Sequence, residues 1–150
     1  MATTGVDPVF IDTNVLVNAN IATAPFHSAA LQELRSLQSS GITLWISRQV
    51  IREYLATLSR PQTFSSPQPV SVLASQVSYF VTHFAIAEDG PAVTANLMAL
   101  LASLPIGGRQ VHDANIVATM QVQGITRLLT RNVSDFNRFS GLIQVIPLGP

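Results

Sequence analysis

Short, nearly continuous apolar runs alternate with longer segments of helical period along the chain, and this alternation limits the fold more than any other feature. A strand whose residues are nearly all apolar is buried on both faces, as happens in parallel sheets covered by helices. The runs are Val9 to Ile11, Thr43 to Ile46, Phe84 to Ala87, Arg127 to Thr130 and Leu142 to Ile146. Between them, helical spacing marks Ser28 to Ser39, the segment capped by Ser47 and ended by Pro61, Val70 to Thr82, Pro91 to Leu104, and about His112 to Gln123. Asp12-Thr13-Asn14 reads as a turn after the first strand. Pro61 to Pro69 reads as an exposed, mobile Pro/Ser loop. The pattern defines a three-layer α/β domain with a mostly parallel sheet. The 150 residues suffice for a single domain with one core, residues 1–150.

Composition removes several function classes. Without cysteine there is no disulfide, thiolate zinc site or cysteine nucleophile. Without lysine there is neither a Walker-type phosphate loop nor Schiff-base chemistry. Apolar residues make up 47% of the chain, but no apolar run approaches the roughly 18 residues of a spanning helix. The opening MATTGVDPVF has no basic start followed by an apolar core, so no signal peptide is expected and the cytoplasm is favoured. Formal charge is zero, yet if four acids were neutralised by metal ions, eight arginines would face the remaining four of the eight acids. An RNA backbone is one partner for such a surplus.

Four acids carry the chemistry. In open parallel sheets, functional groups collect beyond the carboxyl ends of the strands. Asp12 and Asp135 each follow a strand. Asp113 opens a helix on the same face as Ile116, Val117 and Met120, and Glu53 sits at the edge of an apolar stripe formed by Val50, Ile51, Tyr54, Leu55 and Leu58. Each alone has an ordinary explanation: a turn or cap for Asp12 and Asp135, a dipole-complementing first-turn acid for Asp113, and a solvated glutamate for Glu53. Together they suggest a shared site. Two carboxylates about 4 Å apart repel by about 4 kcal/mol at an effective dielectric of about 20, so convergence requires protonation or cations. An all-oxygen site suits Mg²⁺ or Mn²⁺, and metal-assisted phosphodiester chemistry follows. His112 reads as a structural histidine at a helix start, and Arg109 as either a phosphate contact or a solvated loop residue. Trp45 and Tyr54 read as core rather than as base-stacking platforms.

The segments FIDTNVLV (Phe10 to Val17), SRQVIREYLATL (Ser47 to Leu58), GRQVHDANIVATM (Gly108 to Met120) and LLTRNVSDFNRF (Leu128 to Phe139) resemble, in order, the PIN-domain family and in particular the VapC-type toxins of bacterial toxin–antitoxin pairs. The resemblance implies a PIN-like domain with about five parallel strands, Mg²⁺- or Mn²⁺-dependent cleavage of single-stranded RNA, inhibition by a cognate antitoxin, and a homodimer. It makes Asp12 and Asp113 the principal metal ligands. Asp135 would complete the metal shell directly or through water, and Glu53 would bind a second metal or orient the attacking water. Asn14, Thr130 and Asn132 would support the carboxylates by hydrogen bonds, with Ser134 sharing that role. The chain departs from the family pattern in its long 61–69 loop and its lack of lysine. Haloacid-dehalogenase-like and receiver-domain readings both want a lysine that the chain lacks. A catalytically inactive RNA-binding or assembly module, or a housekeeping nuclease without an antitoxin, remain as alternatives.

Overall fold

A computed structural model describes residues 6–149, and the expectation about a leader falls partly on residues 1–5, outside that range. Five strands form one all-parallel sheet: β1 (Val9–Ile11), β2 (Leu44–Ser47), β3 (Ala85–Ala87), β4 (Arg127–Thr130) and β5 (Gln144–Pro147). Their spatial order is β3-β2-β1-β4-β5. The flanking helices are α1 (Thr13–Asn20), α2 (His27–Ser39), α3 (Arg48–Leu58), α4 (Val70–His83), α5 (Pro91–Ser103) and α6 (Gln110–Gln123). With them the sheet forms the expected three-layer α/β domain. Among the described residues, no helix is long and apolar enough to cross a membrane.

Burial follows strand position. Every residue of central β1 is fully buried, and Leu128 and Leu129 of neighbouring β4 are equally so, whereas no residue of edge strand β5 is buried. Each buried large side chain contributes about 1.5–3 kcal/mol, so Phe10, Ile11 and Leu128 stabilise the middle of the sheet most. Gly124 ends α6 in the left-handed conformation, φ 70°, where a Cβ would be strained, and Ile125 N–H returns to Met120 O at 2.9 Å.

Three local expectations change. Asp12-Thr13-Asn14 is not a free turn: Asp12 caps α1, its Oδ1 accepting Thr13 N–H at 2.8 Å. The short helix escaped notice because almost all of its residues are buried, so no polar stripe alternates with an apolar one. Residues 133–139 form a 3-10 helix, more than the single turn or cap that would account for Asp135. At three residues per turn, Phe136 and Phe139 eclipse one another, and both rings are buried, 6.3 Å apart. The turn that follows takes up Leu142 and Ile143, so β5 begins two residues later than the apolar run suggested. The 61–69 loop bears on the site.

Candidate active site

The strand order places a topological switch between β1 and β4. From β1 the chain moves outward through β2 to β3, then returns to the other side of β1 for β4 and β5. Connections leaving adjacent strands in opposite directions open a crevice at the strands' carboxyl ends. Asp12 follows β1 there, and Thr130 ends β4. A cleft of about 560 Å³ opens at this point, and Asp12, Asn14, Glu53, Arg109, Asp113 and Asn132 are among the residues lining it.

Asp12 is almost wholly buried and fully engaged. Besides its cap bond, its Oδ2 accepts Thr130 Oγ1–H at 2.7 Å and Asn14 Nδ2–H at 3.0 Å. Thr130 Oγ1 also accepts Asn132 N–H at 3.0 Å, and Asn14 Oδ1 accepts Arg131 N–H at 2.9 Å. Asn14 and Thr130 thus tie the start of α1 to the end of β4 and fix the carboxylate between them. Burial outweighs these hydrogen bonds and, with the nearby Glu53 charge, raises the Asp12 carboxyl from 3.8 to about 6.

Glu53 is held from two directions. Its Oε1 accepts Thr13 Oγ1–H at 2.8 Å and its Oε2 accepts Gln49 Nε2–H at 3.1 Å. Gln49 is a buried amide whose Nε2 also donates to His112 O at 2.8 Å and whose Oε1 accepts Asn115 Nδ2–H at 2.7 Å. It therefore joins α3 to α6 across the site. Sequence reading overlooked Gln49 and Asn115. The detectable signal was the i,i+4 placement of Gln49 and Glu53 on one face of α3.

Asp113, in the first turn of α6, is half-buried, and no hydrogen bond to its carboxylate is present among the described residues. Desolvation first, then the charges of Asp135, Asp12 and Glu53, push it from 3.8 to about 7, against a smaller lowering by Arg138. Asp113 thus lies within electrostatic reach of the other three acids. Asp135 is the outlier: it is exposed on the 3-10 helix and does not line the cleft, and its influence reaches Asp113 through space. Ser134 is exposed and makes no hydrogen bond to these acids among the described residues. His112 contributes its main-chain carbonyl to Gln49. Trp45 and Tyr54 pack in or against the core.

The donor set consists of carboxylates, amides and hydroxyls, which suits a hard divalent cation. As the side chains stand, no group of three or more His, Cys, Asp or Glu residues among those described could hold a metal ion. Carboxylates without a counter-ion repel one another. Burial first, and the charges of neighbouring carboxylates after it, raise the Asp12 and Asp113 carboxyls, and a cation bound beside them would favour their ionised forms.

The cleft has a second wall. Residues 61–69 are largely exposed, as expected, yet hydrogen-bonded back to α3: Gln62 N–H meets Ser65 O at 2.9 Å, Gln62 Nε2–H reaches Thr57 O at 2.7 Å, and Gln68 N–H reaches Leu58 O at 2.8 Å. Arg60, Gln62 and Phe64 line the cleft from this side.

Fold and site together define an α/β domain with a cleft at the switch point of a parallel sheet, lined by Asp12, Glu53 and Asp113 together with Arg60 and Arg109. The PIN domain family model matches residues 9–142, and the chain belongs to that family. No curated protein matches the chain. Among solved structures, the chain is similar to VapBC2 from Rickettsia felis bound to a DNA fragment from its promoter, with 21% identity, TM-score 0.69, and coverage of 94% of this chain and 98% of that one. It is also similar to DNA-bound VapBC from Salmonella typhimurium, with 16% identity, TM-score 0.69, and coverage of 96% and 100%. A third likeness is to VapC20 of Mycobacterium tuberculosis, described as a sarcin-ricin loop cleaving toxin, with 17% identity, TM-score 0.60, and coverage of 80% and 86%. At these identities the likeness is one of fold.

Proposed function

We propose that this protein is a Mg²⁺- or Mn²⁺-dependent endoribonuclease that cleaves single-stranded RNA in the cytoplasm, and that it is the toxin of a type II toxin–antitoxin pair. The observation that carries the reading is the meeting of Asp12, Glu53 and Asp113 in one cleft, with the Asp135 charge acting on Asp113. In this reading Asp12 and Asp113 hold the ion, Asp135 completes its shell, and Glu53 orients the attacking water. Asn14, Thr130 and Asn132 keep the carboxylates in place, with Ser134 sharing that role, and Arg109 holds a phosphate at the rim. A divalent ion bound there supplies charge neutralisation at the phosphoryl oxygens and a more acidic water.

The protein's own contribution is placement. Thr13 and Gln49 hold Glu53 by separate oxygens, so its carboxylate cannot rotate freely and is ready to accept a hydrogen bond from water. Burial of Asp12 lowers the local dielectric, which strengthens its hold on a cation. An antitoxin and a second copy of the chain are the proposed partners. Exposed Val70, Tyr79 and Val81 on α4 and Met98 on α5 supply apolar surface for such contacts.

Purified protein should cleave single-stranded RNA in Mn²⁺ and lose that activity with EDTA. Cleavage that persists in EDTA would remove the metal from the reading, and no cleavage in any divalent ion would favour an inactive RNA-binding or assembly module. Expression should arrest growth, with relief by the product of an adjacent small gene. A harmless active chain with no such neighbour would be a housekeeping nuclease.

A further inference from the structure

The wall facing the acidic floor is built for something other than a metal. Thr63 and Phe64 form the tip of a tight turn closed by the Gln62–Ser65 pairing, and Thr23 Oγ1–H donates to Phe64 O at 2.5 Å. The turn is thus fastened to both α3 and the α1–α2 connection. Phe64 is only half-buried: it packs partly against the core and also lines the cleft that contains Asp12 and Asp113. An aromatic side chain held by its own backbone bonds at the edge of a charged cleft is ready-made for stacking.

The cations of the cleft point the same way. The ion pairs among the described residues are Arg48–Glu88 and Arg52–Asp89, both away from the cleft lining. Arg60 and Arg109 line the cleft and pair with none of its acids. Guanidiniums that do not neutralise the carboxylates beside them remain available for phosphate, which they bind with two donors in a planar fork.

We propose that Phe64, Arg60 and Arg109 form a nucleotide subsite, in which an unpaired base of single-stranded RNA stacks on the Phe64 ring while the two arginines hold the flanking phosphates. The subsite rests on the ribonuclease reading and names how its substrate is held. Stacking tolerates any base, because every base has a π face, but it requires a base out of a duplex. The subsite therefore selects single strands and contributes little to sequence choice. It also gives the 61–69 segment a role: its length lets the turn fold back over the cleft.

The test uses the full chain carrying Asp113→Asn, so that RNA binds without being cut. Binding of a fluorescein-labelled single-stranded RNA of about ten nucleotides is followed by anisotropy, with and without Phe64→Leu, Phe64→Trp or Arg60→Gln. Phe64→Leu keeps apolar bulk but removes the ring face, and affinity should fall about tenfold or more. Phe64→Trp should retain affinity and add tryptophan fluorescence that RNA quenches. Arg60→Gln should weaken binding and reduce the salt slope by about one. Should Phe64→Leu not fold, the Trp and Gln variants carry the decision. Unchanged affinity in Phe64→Leu, an equal loss for duplex RNA, or no quenching in Phe64→Trp would overturn the subsite. If the wild-type chain cleaves RNA while these variants behave as wild type, only the subsite falls. If the Asp113→Asn chain binds no RNA and the wild type cuts none, the ribonuclease reading falls with it.

Discussion

Asp12 and Asp113 face the same cleft, yet the protein holds them by different means. Asp12 is buried and receives hydrogen bonds from Thr13, Asn14 and Thr130, so the junction of β1, α1 and β4 fixes its carboxylate. Asp113 is half-buried, receives no hydrogen bond among the described residues, and stands under the repulsion of three other acids. One side of the site is set by the fold, and on the proposed reading the other would be set by a bound cation. A site of this kind is partly assembled before its cation arrives, and the unassembled half is where substitution should cost activity without costing stability.

The largest effect tests that division. Asp113→Asn should lower RNA cleavage by roughly 10³-fold while leaving the melting temperature at or slightly above that of the wild type. Asp12→Ala should lose comparable activity and also stability. The comparison is cleanest at pH 5, below both carboxyl values, where relief of charge does not enter. There Asp12→Ala strands the buried Thr130 hydroxyl and uncaps α1, a loss of about 1–3 kcal/mol or roughly 3–10 °C. Equal melting temperatures for the two variants would erase the distinction between the two sides.

A counter-ion should join them. Millimolar Mn²⁺ at about a hundred times its dissociation constant should stabilise the wild type by about 2.7 kcal/mol, or roughly 5–10 °C. The Asp12→Asn/Asp113→Asn double variant should show no increment in the same thermal scan. An increment that survives places the ion elsewhere.

A smaller effect sharpens the role of the ordered side. Gln49 holds Glu53 and ties α3 to α6, so Gln49→Leu should reduce kcat about tenfold with KM nearly unchanged, as expected for a residue that orients a site carboxylate. It should also raise the Mn²⁺ concentration needed for half-maximal activity, a shift that a purely structural role would not produce. If KM rises and kcat holds, Gln49 serves substrate binding instead.

The sequence shows most of the sheet because its strands are short apolar runs at the right intervals, and β1 and β4 fall where those runs lie. It shows three of the acids because Asp12, Asp113 and Asp135 stand at element boundaries that pattern reading locates, and Glu53 because it sits at the edge of the apolar stripe of α3. What it hides is of two kinds. Elements buried on nearly all sides, such as α1, lack the polar–apolar alternation that betrays a helix. Contacts between distant segments leave no local trace: Thr13 to Glu53, Gln49 to Asn115 and Thr23 to Phe64 depend on how α1, α3, α6 and the 61–69 turn meet. The proline and serine content of that turn reports only local backbone freedom, whereas its hydrogen bonds run to Thr57, Leu58 and Thr23 outside it.

The smallest effect concerns pH, and its sign discriminates between the two halves of the argument. Asp12 and Asp113 titrate near 6 and 7 in the folded chain, against 3.8 ordinarily. Between about pH 4 and 7 the folded state therefore keeps protons that the unfolded chain has released. Stability contributed by these groups must fall as pH rises through that window, then level off above it. Without added metal, the melting temperature should decline modestly from pH 5 to pH 8, and the Asp113→Asn variant should show a shallower decline. Mn²⁺ should reverse the trend, because ligation requires the deprotonated carboxylates and strengthens as they ionise. Its increment should be largest at pH 8 and smallest at pH 5. A Mn²⁺ increment independent of pH would mean that the ion is held by groups that do not titrate in this range, and the unheld half of the cleft would then need another explanation for its repulsion.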